Sequence, residues 1–223
     1  MTKADILKIC DHTVLRPDAD FKEISENLEL AIKYNCASMC LSPCHVYEAK
    51  KLCGDKLKIC TVVGFPNGYN DTATKVFEAR HLIEEGADEI DAVINIGWAC
   101  SGNYKAVEEE LIQLRKATEG YILKIIVETC RLPEPVLREM CKVVSRSGAD
   151  FIKTSTGFAE RGATVEDILI MRAECSKETK IKAAGGISSF EDAENMIKAG
   201  ADRLGTSRLI KLMQQEDVSD EGY

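Results

Sequence analysis

The chain has 223 residues, of which 45% are apolar and 30% charged, and its formal net charge is −8. This composition suits a globular protein with one large core, and the acidic balance argues against nucleic acid or an anionic membrane as the main partner. Because there is no long apolar run and the charged first residues lack an apolar signal core, we expect a cytoplasmic protein without a membrane span.

Short β-branched runs alternate with amphipathic helical stretches along most of the chain. These runs predict strands at residues 8–15, 35–42, 57–65, 89–97, 121–129, 150–155, 179–186 and 201–207. The helical stretches that follow cover about 20–34, 44–52, 71–86, a segment ending near 118, 133–147, a segment from about 164, 189–200 and 208–213. Within 71–86, Asp71 is the predicted N-cap and Phe77 lies on a mostly apolar face.

This alternation predicts the fold class. Parallel strands need a crossover helix, so repeated βα units imply a parallel sheet. Eight units, if the short run 8–15 supplies the strand that closes the sheet, predict a single-domain (β/α)8 TIM barrel over residues 1–213. A doubly wound open sheet is the alternative, although no glycine fingerprint for a dinucleotide opens an early helix. Residues 214–223 form an acidic tail that we expect to be flexible.

Ten cysteines raise the question of a metal or disulfide framework. They are scattered, and no C-x-x-C pair occurs. Cys36, Cys40 and Cys44 recur every four residues, but Pro43 interrupts the last interval and no second ligand cluster follows. We therefore expect reduced thiols that pack as small apolar residues, without a metal site.

The candidate chemistry lies in two lysines of consecutive strands. Lys153 and Lys182 each stand near the C-terminal end of a strand, where barrel enzymes place their active sites. Neighbouring strands are about 4.8 Å apart, so both ammonium groups can point into one cavity. Burial and like-charge repulsion lower the pKa of a lysine, and a neutral amine forms Schiff bases with carbonyls. Asp91 and Asp11 would keep the other lysine charged and relay protons.

The alternative for these lysines is a structural ion pair at the strand ends. Lys124 and Glu128, four residues apart in one predicted strand, are interpreted in that way, as an ion-pair or packing couple.

Two later segments predict a phosphate site. "AAGGIS" (183–188) and "LGTSR" (204–208) follow the seventh and eighth strands, where barrels often bind phosphate through loop backbone N–H groups. "TSTG" after Lys153 adds hydroxyls and a flexible turn. Together these segments favour a phosphorylated substrate.

Seven segments, in order, carry a resemblance to a known family. They are "DHTVL" (11–15), "VVGFPNG" (62–68), "DEIDAVINIG" (88–97), "KIIVET" (124–129), "DFIKTSTGF" (150–158), "IKAAGGI" (181–187) and "RLGTS" (203–207). The chain resembles the deoxyribose-phosphate aldolases over about residues 5–213. That resemblance implies a class I aldolase without metal or other cofactor, which interconverts 2-deoxy-D-ribose 5-phosphate with D-glyceraldehyde 3-phosphate and acetaldehyde. It also implies a homo-oligomer, either a dimer or a tetramer.

The resemblance assigns roles to individual residues. It implies that Lys153 forms the Schiff base, that Lys182 tunes it and shuttles protons, and that Asp91 is the acid/base partner acting through water. The other implied site residues line the substrate or phosphate pocket: Asp11, Cys40, Thr154, Gly157, Gly185, Gly186, Gly205, Thr206 and Ser207. Some relatives end in a tyrosine that reaches the active site, so Tyr223 is a further candidate for proton transfer.

The chain departs from the family pattern at three places. "CLSPC" at 40–44 replaces a segment in which many relatives have asparagine before the proline, Ser188 stands where arginine is common, and Phe158 where some members have lysine. These departures bear on phosphate contacts and substrate preference. Two alternatives stay open: a Schiff-base aldolase or transaldolase for another phosphosugar, and a catalytically silent protein that only binds phosphosugars.

Overall fold

A closed barrel of eight parallel strands forms the centre of the computed structural model, which describes residues 1–220. Each strand pairs with the next in chain order, and the last pairs with the first. The strands are β1 (Cys10–Val14), β2 (Ser38–Leu41), β3 (Ile59–Val63), β4 (Glu89–Val93), β5 (Ile122–Ile126), β6 (Phe151–Lys153), β7 (Lys180–Ala184) and β8 (Arg203–Thr206). The predicted (β/α)8 barrel is confirmed, and the open-sheet alternative is wrong.

Helices surround this barrel. Among the described residues they are α1 (Lys3–Leu7), α2 (Phe21–Lys33), α3 (Val46–Cys53), α4 (Thr72–Glu84), α5 (Ile96–Cys100), α6 (Tyr104–Ala117), α7 (Glu134–Ser147), α8 (Val165–Glu174), α9 (Phe190–Ala199) and α10 (Leu209–Asp220). Short 3-10 turns cover Pro43–His45 and Thr129–Arg131. None of these helices is long and apolar enough to cross a membrane.

Several strands are shorter than the sequence predicts, for local reasons. The run 89–97 leaves the sheet after Val93 because the Asn95 side chain accepts a hydrogen bond from the Trp98 backbone N–H and caps α5. The run 121–129 ends at Ile126, and Glu128 adopts a left-handed conformation with φ of 56°. Both strand ends therefore become turns on the side of the barrel where the site lies.

The two ends of the chain also differ from expectation. Helix α1 is absent from the sequence prediction; it begins with a capping box in which Thr2 and Asp5 exchange hydrogen bonds. Helix α10 continues to Asp220, so the predicted boundary at residue 213 falls inside it. The division into barrel and tail stays a prediction.

Strand alternation separates an apolar shell from a polar interior. Ile90, Ile125, Ile152 and Ile181 point outward and belong to the core packed between the barrel and the helices. Their neighbours in sequence, Asp91, Lys124, Lys153 and Lys182, therefore face the barrel interior. The register places Asp91 beside Lys124, and Lys153 beside Lys182.

The shell contains one buried ion pair that the sequence pattern does not reveal. On α4, Asp71 is the N-cap as predicted, but Phe77 is 70% exposed whereas Lys75 is fully buried. Lys75 Nζ lies 2.8 Å from the Glu110 carboxylate of α6 and donates to the Val93 carbonyl at 2.9 Å. This pairing lets a lysine replace the expected apolar contact.

The turn before α4 depends on Gly68. Its φ is +72°, and a Cβ at this position would lie 1.9 Å from the Ile94 carbonyl oxygen. Gly102 has a similar φ of +77°, but a Cβ there would have no heavy atom within 4 Å. A side chain at either glycine would strain the backbone, but only one at Gly68 would also overlap another atom.

We expect Gly68→Ala to lower the free energy of unfolding by about 3 kcal/mol, because overpacking adds to the strain of a left-handed alanine. Gly102→Ala should cost only about 1 kcal/mol, from the strain alone. Urea unfolding followed by circular dichroism measures both. Equal losses for the two variants would contradict the proposed clash with Ile94.

Candidate active site

Seven charged side chains from six strands meet inside the barrel. Four are basic and three acidic: Lys124, Lys153, Lys182 and Arg203, with Asp11, Glu89 and Asp91. All seven are buried except Arg203, whose side chain is 14% exposed. Buried charges of this number require mutual pairing.

Asp91 is the centre of this cluster. Its Oδ2 accepts hydrogen bonds from Lys153 and Lys182, each at 2.7 Å. Its Oδ1 accepts from Lys124 at 2.8 Å and from the Cys60 thiol at 3.1 Å. Burial alone would raise the pKa of Asp91, but the three lysines hold it well below its usual range. Asp91 is therefore a carboxylate that links the three ammonium groups.

Lys182 is held by two carboxylates, those of Asp91 and Asp11. Burial would lower the pKa of Lys182, but these two acids raise it above its ordinary value. Arg203 binds the other oxygen of Asp11 at 2.7 Å. This direction agrees with the expectation that Asp91 and Asp11 keep one of the two lysines charged.

Lys124 belongs to the same cluster and lies below Asp91, on the side away from the cavity. Its Nζ lies 2.5 Å from Glu89 Oε2 and 2.8 Å from Asp91 Oδ1. The predicted couple with Glu128 is wrong because the chain turns after Ile126. Glu128 instead accepts hydrogen bonds from the backbone N–H and the hydroxyl of Thr156.

Lys153 differs from the other basic groups in its surroundings. It makes one carboxylate contact, to Asp91, whereas Lys182 makes two. It also lines a cavity, whereas Lys124 and Lys182 are buried and do not line it. With four basic and three acidic groups, the cluster carries one excess positive charge.

The cavity has a volume of about 730 Å³ and opens at the C-terminal ends of the strands. It joins Lys153 to the predicted phosphate residues Gly157, Gly185, Gly186, Gly205, Thr206 and Ser207. Phe158 and Ser188, where the chain departs from its relatives, also line it. The Ser188 hydroxyl donates to Asp192 at 2.8 Å, at the start of α9.

Three basic side chains around this cavity are additions to the sequence prediction. Arg16, Arg208 and Lys211 all line it, on the side of the phosphate loops. Arg208 ends the quoted segment "LGTSR", and Lys211 follows it by three residues, so the two share one face at the start of α10. The sequence did contain a signal for Arg208 and Lys211, because basic residues that follow a glycine-rich turn and share a helix face are suited to bind phosphate.

The phosphate loops are packed closely against the loop after β6. Gly185 and Gly186 have φ of +76° and +75°, and a Cβ on Gly162 would lie 2.1 Å from the Gly185 carbonyl carbon. Gly162 therefore permits direct backbone contact between the loops that follow β6 and β7.

Other predicted residues lie away from the cavity. Thr154 is fully buried, and its hydroxyl donates to the Ala184 carbonyl at 3.1 Å and accepts from the Ala184 N–H at 3.0 Å. Cys40 packs beside Cys60 in a small apolar cluster. Tyr223 lies outside the described residues, and α10 leads away from the cavity to a contact between Glu216 and Lys3.

Buried thiols and acids of the cluster have spacings that could suit a metal. Cys40, Cys60 and Asp91 place ligand atoms within 4.8 Å of one another, as do Asp11, Cys60 and Glu89. The Lys124 ammonium lies between them, 3.3 Å from Cys60 Sγ. The cation among these ligands is therefore a lysine side chain.

Known proteins resemble this chain over almost its whole length. Residues 6–210 match the model of the DeoC/LacD family aldolase. The chain belongs to this family of aldolases. A deoxyribose-phosphate aldolase of Streptococcus pyogenes is 52% identical over 223 residues, the full length of both chains, and one of Streptococcus agalactiae is equally similar.

Solved structures support the same assignment. A protein described as an aldolase is 38% identical, with a TM-score of 0.90 over 96% of this chain and 98% of its own. The tetrameric deoxyribose phosphate aldolase from Aeropyrum pernix is 29% identical, with a TM-score of 0.89 over 97% and 92% of the two chains. The chain is thus an enzyme of the lyase class, as predicted.

The position of Thr154 generates a test in this aldolase. We expect Thr154→Val to lower the free energy of unfolding by about 1–3 kcal/mol, because the buried Ala184 N–H loses its acceptor. The substrate KM should stay unchanged, and Thr154→Ser should behave like the parent. A raised KM without loss of stability would instead support the predicted contact with substrate.

Proposed function

We propose that this aldolase interconverts 2-deoxy-D-ribose 5-phosphate with D-glyceraldehyde 3-phosphate and acetaldehyde through a Schiff base on Lys153. The observation that carries this proposal is the position of Lys153 Nζ. It lines the cavity, 2.7 Å from an Asp91 oxygen that also binds Lys182. The relatives named deoxyribose-phosphate aldolase, 52% identical over their full length, support the choice of substrate.

The synthetic direction begins at Lys153. Its neutral amine attacks the carbonyl carbon of acetaldehyde, and the carbinolamine formed loses water to give an iminium ion. Loss of a proton from the methyl carbon gives an enamine, whose carbon attacks the aldehyde carbon of glyceraldehyde 3-phosphate. The new alkoxide takes a proton, and water then hydrolyses the iminium and frees the amine. Cleavage runs through the same steps in reverse.

Lys182 and Asp91 have complementary parts in these proton transfers. Lys182 is charged, so it is suited to donate a proton to the leaving hydroxyl of the carbinolamine and to the alkoxide. The low pKa of Asp91 makes it a weak base. We infer that Asp91 orients the lysines and stabilises the iminium by charge, while water carries the proton taken from carbon.

The substrate phosphate would bind on the opposite side of the cavity from Lys153. Backbone N–H groups of the glycine-rich loops after β7 and β8 can approach its oxygens closely. Arg208 and Lys211 would add positive charge. Ser188 stands where relatives commonly have arginine, and it supplies no positive charge. Its hydroxyl donates to Asp192.

The two alternatives make different use of the same cavity. Another phosphosugar aldolase or a transaldolase would keep the imine on Lys153 but prefer a different carbonyl compound. A silent binding protein would not need the lysines linked by Asp91. The geometry favours catalysis, and a panel of aldehydes paired with phosphosugars separates the first alternative.

Three further features remain part of the proposal. The tetrameric relative from Aeropyrum pernix supports a homo-oligomer. No cofactor is needed for the steps above, because the lysine itself activates the carbonyl. A cytoplasmic location and proton transfer by Tyr223 stay predictions from the sequence.

Borohydride trapping tests the nucleophile. With acetaldehyde present, we expect an N-ethyl adduct on Lys153, located by peptide mass mapping, and Lys153→Ala should lose the adduct and at least about 10³-fold in kcat. Lys198→Ala, which changes an exposed lysine of α9, is the matched control and should keep both. Full turnover by Lys153→Ala, or a metal requirement, would exclude this mechanism.

The phosphate assignment makes a separate prediction. The double variant Arg208→Gln, Lys211→Gln should raise the KM for 2-deoxy-D-ribose 5-phosphate about tenfold, because two charge-assisted contacts are lost. Its kcat/KM for unphosphorylated 2-deoxy-D-ribose should stay within about twofold of the parent. Steady-state kinetics with both sugars decide the matter, and an equal loss for both would argue against a phosphate contact.

A further inference from the structure

We propose that Glu89 and Lys124, buried beneath the catalytic cavity, set the pH at which Lys153 becomes nucleophilic. Neither residue lines the cavity, so both act through other groups as positioning residues. The inference rests on the proposed Schiff-base function of Lys153 and adds the groups that control it.

The contacts connect these residues to Lys153 through one carboxylate. Lys124 Nζ is 2.8 Å from Oδ1 of Asp91, and Lys153 Nζ is 2.7 Å from Oδ2 of the same group. Glu89 Oε2 lies 2.5 Å from Lys124 Nζ on the side away from the cavity. The side chains of Lys124 and Glu89 are 0% and 3% exposed, so solvent screens their charges little.

On the cavity side, Arg16, Glu23, Arg208 and Lys211 line the same cavity as Lys153. The buried cluster and the thiols packed against it supply the other charged or titratable groups around Lys153. The groups are Asp11 on β1, Cys40 on β2, Cys60 on β3, Glu89 and Asp91 on β4, Lys124 on β5, Lys182 on β7 and Arg203 on β8. Burial holds the pKa of the Cys60 thiol above its usual value, so Cys60 adds no charge. Lys124 and Glu89 carry opposite charges that cancel, so removal of either one alone changes the net charge of the cluster by one unit.

The expected shift of the pH profile follows from electrostatics. A unit charge on the order of 6 Å away, at an effective dielectric constant near 20, shifts a titration by one to two pH units. The neutral amine is favoured by surrounding positive charge and disfavoured by negative charge. Removal of the Glu89 charge should therefore extend reactivity to lower pH, and removal of the Lys124 charge should confine it to higher pH.

Three variants express this prediction. Glu89→Gln, which keeps the shape of the side chain, should move the acid limb of the pH profile down by about one unit. Lys124→Met should move it up by about one unit or more. The double variant restores the excess of one positive charge, so its profile should return towards that of the parent. Glu89→Gln alone provides the test if Lys124→Met does not fold.

Matched controls come from the buried pair between α4 and α6. Lys75 and Glu110 have fully buried side chains 2.8 Å apart, but they lie outside the barrel interior. Glu110→Gln and Lys75→Met therefore remove the same charges from an equally dry site. Their pH profiles should match that of the parent, which separates tuning from general loss of stability.

The experiment measures imine formation directly. Each variant is incubated with acetaldehyde and sodium cyanoborohydride between pH 5 and 9, and the initial rate of N-ethyl adduct formation on Lys153 is followed by mass spectrometry. Acetaldehyde carries no phosphate, so substrate ionisation does not enter. Opposite shifts for Glu89→Gln and Lys124→Met, with recovery in the double variant, support the inference.

The other outcomes are distinguishable. A parent protein that forms no adduct on Lys153 would overturn the proposed function. A parent that forms the adduct while Glu89→Gln and Lys124→Met leave its pH midpoint unchanged would overturn only the role of these two residues. If the control variants Glu110→Gln and Lys75→Met shifted the pH midpoint as much as Glu89→Gln and Lys124→Met, that result would also overturn the role of Glu89 and Lys124.

Discussion

The repulsion among buried positive charges is the constraint on which this barrel depends. Lys124, Lys153 and Lys182 project from three consecutive strands into one small interior. Asp91 makes this arrangement possible because each of its two oxygens accepts from at least one lysine. Without that carboxylate the interior would hold ammonium groups with too few counter-ions, at a cost of several kcal/mol each. The same interaction that stabilises the fold also organises the chemistry.

The cluster has two levels with different roles. In the upper level, Lys153 lines the cavity and Lys182 lies just beneath it. The lower level consists of Lys124, Glu89 and Arg203, which complete the ion pairs. An enzyme that uses a neutral amine needs one lysine with fewer carboxylate contacts than its neighbours have. Here Lys153, which lines the cavity, contacts one carboxylate, whereas Lys182 contacts two and Lys124 contacts three.

Much of this arrangement follows from the sequence, because strand periodicity carries it. The alternation of βα units predicts the barrel, and the positions of Asp91, Lys153 and Lys182 within their strands predict that they share its interior. Glycine-rich segments likewise predict the loops that line the cavity. These features depend on local pattern and on the regular geometry of parallel strands, so they require no knowledge of distant contacts.

Partners across the barrel were not predictable in this way. Spacing alone pairs Lys124 with Glu128, but the chain turns after Ile126 and the partners of Lys124 come from β1 and β4. The close packing of Gly162 against Gly185 was equally unpredictable from the sequence pattern. The loop that follows Lys153 and the glycine-rich loop after β7 therefore share one closely packed boundary. Backbone meets backbone at that boundary, whereas next to β1 the cavity is lined by the side chains of Val14, Leu15 and Arg16, which substitution can shorten to make room.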